Sequence, residues 1–258
     1  MHAISVVWHF RRELFLFACV LCITTLPGVA AGWQGVSDAA TRRKPQGNQD
    51  VLRDDFDKAL SLDWEVVREN KKNVSLKDYP GELLIVTERG SIYEDQDKDR
   101  NAPGGRAKNL HLIENPLEDD ADWQLTTCLV GFAAVAQDNQ AGILVYEDDE
   151  NYVKCVVQFS SRSGKYLRLA AEKDMVYTRA GGAIDAQQEN VWIRLTREGE
   201  SYSASVSYDG EKFAEFGQVE WDRSPKRFGL IAKNGGKINA PSVEARFDFF
   251  EFQSIAQD

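Results

Sequence analysis

From Val51 to the end of the chain, apolar and polar residues alternate in short runs, and clusters of turn-forming residues interrupt them roughly every 8–15 positions. A period of two is the period of a strand with one face buried, and no stretch of comparable length carries an amphipathic helical repeat. The runs at 82–87, 123–132, 141–147, 152–159, 166–171, 191–198, 201–208, 212–216, 228–232 and 245–252 are predicted strands. Asp148-Asp149-Glu150-Asn151, Ser161-Arg162-Ser163-Gly164, Arg197-Glu198-Gly199-Glu200 and Tyr208-Asp209-Gly210-Glu211 read as the turns between them, with Asp209-Gly210 matching a type I′ hairpin. Many short strands at this spacing predict an all-β, two-sheet antiparallel sandwich over residues 51–256. The charged, Gly- and Pro-containing stretch 90–107 is predicted to be a surface loop.

The 258 residues carry 31 Lys and Arg against 41 Asp and Glu, a net charge of −10 that disfavours a nucleic-acid partner. Residues 1–31 have the order of a signal peptide: Arg11 and Arg12, an apolar run from Leu14 to Ile23, then Pro27-Gly28 and the small residues Val29-Ala30-Ala31. Cleavage is predicted after Ala31, which implies a secreted, periplasmic or cell-surface protein that is not membrane-embedded. Leu16-Phe17-Ala18-Cys19 offers a lipoprotein alternative, with a short apolar core before it. Residues 32–50 are polar and read as a flexible lead-in. Cys19 and Cys22 leave with the signal. Cys128 and Cys155 remain; placed two strands apart in one meander, about 9–10 Å, they exceed the roughly 7 Å reach of a disulfide and are expected to be free.

Strand parity assigns Val153, Cys155 and Val157, Leu167, Leu169 and Ala171, and Val191, Ile193 and Leu195 to the core. The opposite positions combine aromatic rings with amines and amides: Tyr152, Lys154, Gln158, Tyr166, Arg168, Trp192 and Arg194. A sheet face of that composition stacks sugar rings and fixes their hydroxyls, so these residues are the predicted carbohydrate site. The competing reading is a solvated outer sheet with Trp192 tucked under a loop.

Several segments together resemble a known family. They are Asp54-Asp55-Phe56-Asp57 with Leu62-Asp63-Trp64; Gln140 to Tyr146 followed by Asp148-Asp149-Glu150-Asn151-Tyr152-Val153-Lys154; Val191 to Leu195 with Gly199 and Ser207-Tyr208-Asp209-Gly210; Phe228-Gly229-Leu230; and Phe247-Asp248-Phe249-Phe250. In this order they resemble the C-terminal concanavalin-A-like domain of family 43 glycoside hydrolases, the β-xylosidase group, and related one-domain concanavalin-A-like and laminin-G-like families. The resemblance covers residues 52–255 and implies a jelly-roll sandwich and sugar contact. It does not imply xylosidase activity, because the family's five-bladed catalytic domain has no counterpart in this sequence.

The residues themselves supply no catalytic constellation. His111 is the one histidine beyond the signal, without a Gly-x-Ser-x-Gly elbow, and the strand spacing Glu-x-Asp-x-x-Glu of sandwich glucanases does not occur. A glycan-acting hydrolase of the same fold and a protein-interaction module of the cell surface stand as alternatives to a non-catalytic lectin-like role. Calcium is the plausible ion. Asp95, Asp97 and Asp99 share a loop but lack the glycine and glutamate of an EF-hand, with Arg100 and Arg106 in those places. Asp55 and Asp248 would approach each other if the first and last strands pair, and a structural calcium or an arginine such as Arg246 would relieve them.

Overall fold

The computed structural model describes residues 51–92, 105–117, 121–236 and 240–256. The segments predicted to be a signal peptide and a lead-in, and the Asp95-Asp97-Asp99 segment, lie outside the described residues.

The strands are β1 (Val51–Asp54), β2 (Glu65–Val67), β3 (Val74–Ser75), β4 (Leu83–Val86), β5 (Leu110–Glu114), β6 (Trp123–Val130), β7 (Gln140–Asp148) and β8 (Asn151–Ser160). They continue with β9 (Gly164–Lys173), β10 (Val176–Ala183), β11 (Asn190–Glu198), β12 (Ser201–Ser207), β13 (Ala214–Glu220), β14 (Arg227–Lys233) and β15 (Glu244–Ser254). The helical content among the described residues is one 3₁₀ turn at Lys71–Asn73. An eight-stranded sheet runs β13-β12-β11-β6-β15-β4-β3, with β1 added beside β15; a seven-stranded sheet runs β10-β9-β8-β7-β14-β5-β2. The strand pairings are antiparallel throughout both sheets.

The inward-facing side chains of the two sheets form one apolar core. The predicted inward residues Val153, Cys155, Val157, Leu167, Leu169, Val191, Ile193 and Leu195 all lie in it, essentially without exposure. Aromatic rings fill one end: Trp123 contacts Tyr202 and Phe228 at 5.9 and 5.2 Å between centroids, and Phe228 stacks on Phe252 at 5.3 Å. Side chains of this size bury about 150–250 Å² each and account for much of the stabilisation.

Three expectations are corrected. The β6–β7 connection crosses from one sheet to the other, so Cys128 and Cys155 lie in different sheets rather than two strands apart in one meander. Both are free and buried, and burial pushes each thiol up to about 12. The Asp209-Gly210 turn is not type I′, because Gly210 has φ 77° whereas Asp209 is not among the residues with positive φ. Instead Asp209 Oδ1 accepts from Glu211 N and Lys212 N, at 2.9 and 2.8 Å, and holds a longer loop between β12 and β13. Finally, β10 forms where alternation predicts no strand. Its sequence, Val-Tyr-Thr-Arg-Ala-Gly-Gly-Ala, has little apolar alternation, yet it pairs with β9 over its whole length.

Candidate functional site

Strand register places the side chains of the seven-stranded sheet's outer face in rows. One row runs Tyr177, Glu172, Tyr152, Tyr146 and Arg227 across β10, β9, β8, β7 and β14. Another runs Ala183, Tyr166, Gln158, Gln140 and Lys233. Lys154 and Arg168 lie between them. Five predicted residues (Tyr152, Lys154, Gln158, Tyr166 and Arg168) are therefore brought together on one face.

This face is not the solvated surface that alternation alone suggests. Leu144, Val156 and Ile231 occupy outer positions and form a second apolar cluster with Leu110, Leu112, Ile92 and Ala107. The chain before β5 supplies the cover. Ser91 N donates to Gly105 O at 3.1 Å and Ala107 N to Ser91 O at 2.9 Å, closing the stem of the predicted surface loop. Arg68 fastens that stem to the β7–β8 turn, donating to Ala107 O at 2.5 Å and through both terminal nitrogens to Asp149 at 3.0 Å. Tyr146 also donates to Asp149, at 2.9 Å. The cover leaves the β9–β10 side open, where Tyr166 and Arg168 are half-buried and Gly181 and Ala183 exposed.

At the border between covered and open halves lies a chain of polar contacts. Lys154 Nζ donates to Gln140 Oε1 at 3.3 Å, and Gln140 Nε2 donates to Gln158 Oε1 at 3.1 Å. Tyr152 donates to Glu172 Oε2 at 2.6 Å. Arg168 stacks over Tyr166 with its guanidinium carbon 4.9 Å from the ring centroid. Lys154 and Lys233 are 4% and 3% exposed. Burial, then the repulsion of Lys233 and Arg168, lowers the Lys154 ammonium well below the usual lysine range against the pull of Glu172. Burial brings Lys233 down to about 8, with Asp138 opposing. Glu172 is raised by burial, which outweighs its bond from Tyr152 and the Lys154 charge.

Trp192 and Arg194 do not belong to this face. They sit on β11, in the other sheet, because the β10–β11 connection also crosses the sandwich. Trp192 packs against the backbone at Gly210, where a Cβ would meet its indole nitrogen at 3.1 Å, so the tucked-under-a-loop reading holds for it. Arg194 donates to Thr126 Oγ1 at 3.1 Å and lies 3.7 Å from the centroid of the Phe213 ring. Sequence reasoning also missed Gln140, Glu172 and Lys233. Each lies one residue beyond the end of a predicted strand, and extending the alternation by that residue would have found it.

β1 does pair with β15, as the Asp55–Asp248 expectation requires. Arg53, rather than Arg246, is the arginine that meets Asp55: it bonds Asp55 at 2.7 Å and Glu251 at 2.9 Å and lies 3.9 Å from the centroid of the Phe249 ring. Burial, opposed by Arg53 and helped by Asp55, raises the Asp248 carboxyl. Among the described residues no group of three or more His, Cys, Asp and Glu side chains is arranged to hold a metal. A cleft of about 340 Å³ opens elsewhere, at the β10–β13 edge, lined by Ala171, Val176, Thr178 and Trp221 and crossed by the Lys173–Asp222 pair at 2.6 Å.

A protein-family profile described as protein of unknown function DUF1349 matches residues 94–255. The chain belongs to that family. Comparison with curated proteins gives no match. Among solved structures, this DUF1349 chain is similar to a GH43 protein of Bacillus licheniformis, with a TM-score of 0.66 and 21% identity over 79% of this chain and 39% of that one. It is also similar to a xylan β-1,4-xylosidase of Bacillus halodurans, with a TM-score of 0.60 and 19% identity over 78% and 38% of the two chains. The CBM2 module of the evolved Dit of Lactobacillus casei BL23 phage J-1 gives a TM-score of 0.55 and 8% identity over 82% and 99%. The chain thus spans about 39% of the length of the GH43 structures, corresponding to their C-terminal β-sandwich. At these identities the likeness shows the concanavalin-A-like jelly-roll fold.

Proposed function

We propose that this DUF1349 protein is an exported, non-catalytic carbohydrate-binding sandwich, and that it binds sugar on the outer face of the seven-stranded sheet. The observation that carries this reading is the convergence of Tyr152, Gln140, Gln158, Lys154, Tyr166 and Arg168 on one face beside the exposed small residues Gly181 and Ala183. Tyr166 supplies a ring for the apolar side of a pyranose, and the amides supply both donors and acceptors for hydroxyls. The GH43 neighbours support the assignment by fold alone.

The role of the sequence's acidic pair is a separate proposal. A structural calcium at Asp55 and Asp248 would have to share Asp55 with Arg53, and its signature would be a melting temperature that falls on chelation. The test of the main reading is a glycan and polysaccharide binding screen with the purified protein, run with and without chelator and followed for turnover. Saturable binding without release of product is the expected result. Turnover would instead move the assignment to the glycan-acting hydrolase, and absence of any binding to the protein-interaction module.

A further inference from the structure

Strand β10 is the outermost strand of the seven-stranded sheet, and it differs from the other edges of the sandwich. β1, β2 and β3 are 4 residues long or shorter. β13 carries Glu215 and Glu220, and its register against β12 skips Phe216, so a bulge interrupts it. Short length, charge and bulges are the devices that keep an edge from pairing with another chain. β10 spans 8 residues, pairs with β9 without a register shift, and has no proline and a single charge, Arg179. Met175, Val176 and Tyr177, at its start, are three of the six exposed large apolar side chains among the described residues.

The backbone is turned to that edge. Asp174 and Met175 both have positive φ, 48° and 68°, as a two-residue type I′ turn requires, so Lys173 and Val176 exchange hydrogen bonds. Alternation from that pair directs the N–H and C=O of Thr178, Ala180 and Gly182 to β9. It directs those of Arg179, Gly181 and Ala183 to the open edge. Every side chain from Val176 to Arg179 is exposed, on both faces of the strand.

We infer that β10 pairs antiparallel with β10 of a second copy of this chain, joining the two seven-stranded sheets into one. The strand is self-complementary in that arrangement, because the bulky Val176-Tyr177-Thr178-Arg179 is followed by Ala180-Gly181-Gly182-Ala183. A two-fold axis normal to the sheet keeps the outer faces together, and near-full overlap then centres on Arg179 or on Ala180. Centring on Arg179 sets two guanidiniums directly opposite each other, which is destabilising. Centring on Ala180 sets Tyr177 opposite Ala183, Thr178 opposite Gly182 and Arg179 opposite Gly181, a large residue against a small one each time. It also makes hydrogen-bonded pairs of the residues whose backbone groups face the edge. The dimer is inferred without the carbohydrate reading. On that reading it adds a ring to the outer face. Ala183 pairs with Tyr166, so Tyr177 of the second copy stands two strand spacings, about 10 Å, from Tyr166.

Sedimentation equilibrium of the purified protein, with Arg179→Pro and Ala180→Cys beside wild type, tests the pairing. Wild type should pass from monomer to dimer between about 1 and 100 μM. Proline at 179 removes an N–H that points away from β9, so the monomer keeps its sheet while self-association weakens at least about 10-fold. In Ala180→Cys the two thiols meet across the two-fold axis at a Cα separation of about 4.5 Å, within disulfide reach. Mild oxidation should then give a covalent dimer on a non-reducing gel. Wild type that stays monomeric up to about 100 μM overturns the inference, as does an Arg179→Pro variant that is folded by circular dichroism and dimerises like wild type. Should Arg179→Pro fail to fold, the cysteine variant decides alone, and absence of the cross-link overturns the pairing. Glycan binding enters none of these outcomes, so the dimer and the carbohydrate reading fail separately.

Discussion

Asp54 shows how a single residue sets the start of the sandwich. Its carboxylate is buried and accepts from Phe56 N at 3.0 Å, Ser61 N at 2.7 Å, Leu62 N at 3.3 Å and Trp64 Nε1 at 2.8 Å. It pins the loop that leads from one sheet to the other and fixes Trp64 against Phe250 and His111. Burial pushes the carboxyl up, but the bonds from Trp64, Ser61, Phe56 and Leu62 outweigh it and hold it below the usual aspartate range. A carboxyl lowered in the folded state contributes stability above its unfolded value and loses it as pH falls through the folded one. Asp54→Asn keeps the shape but offers one accepting atom for four donors. Chemical denaturation should find it about 2–4 kcal/mol less stable near neutrality, with the gap to wild type closing as pH falls from 5 towards 2. A gap that stays constant across that range would show that the charge is not the source. The sequence marked this segment through its resemblance, but the role of Asp54 was not legible, because its donors lie up to ten residues away along an irregular loop.

At the scale of elements, alternation gave inside and outside correctly and sheet membership incorrectly. Parity is a local property of a strand, whereas the choice of sheet depends on the connection. The segments between β6 and β7 and between β10 and β11 are too long for tight hairpins, and that length was the available signal. A second signal was the presence of Leu144 and Val156 at outward positions, which only a covered face tolerates. Strand β10 depends on its glycines as its neighbours depend on side chains. Gly181 has φ 138°, and a Cβ there would meet Leu167 O at 2.1 Å and the Tyr166 ring at 3.1 Å. Gly181→Ala should therefore loosen the β9–β10 pairing, with a loss of about 1–3 kcal/mol in denaturant titration and faster amide exchange along both strands. Unchanged exchange in β9 would show that the outer face does not need this close approach.

For the whole molecule, two sheets share one core, but their outer faces differ. On the eight-stranded sheet Arg53 pairs with Asp55 and Glu251, and Arg194 meets Thr126 and Phe213. The seven-stranded sheet gathers Lys154, Gln140 and Gln158 on its outer face, with the small residues Gly181 and Ala183 beside Tyr166. The convergence of ring, amides and amines therefore points to one face, although composition alone shows just an acidic chain. The most direct test compares two aromatic variants for glycan binding in one assay, each checked for folding by circular dichroism. Tyr166→Ala, on the seven-stranded sheet, should lose at least about 10-fold in affinity, and Trp192→Ala, on the other sheet, should bind as wild type. Loss of binding in Trp192→Ala with Tyr166→Ala unaffected would place the site on the opposite sheet and contradict the account.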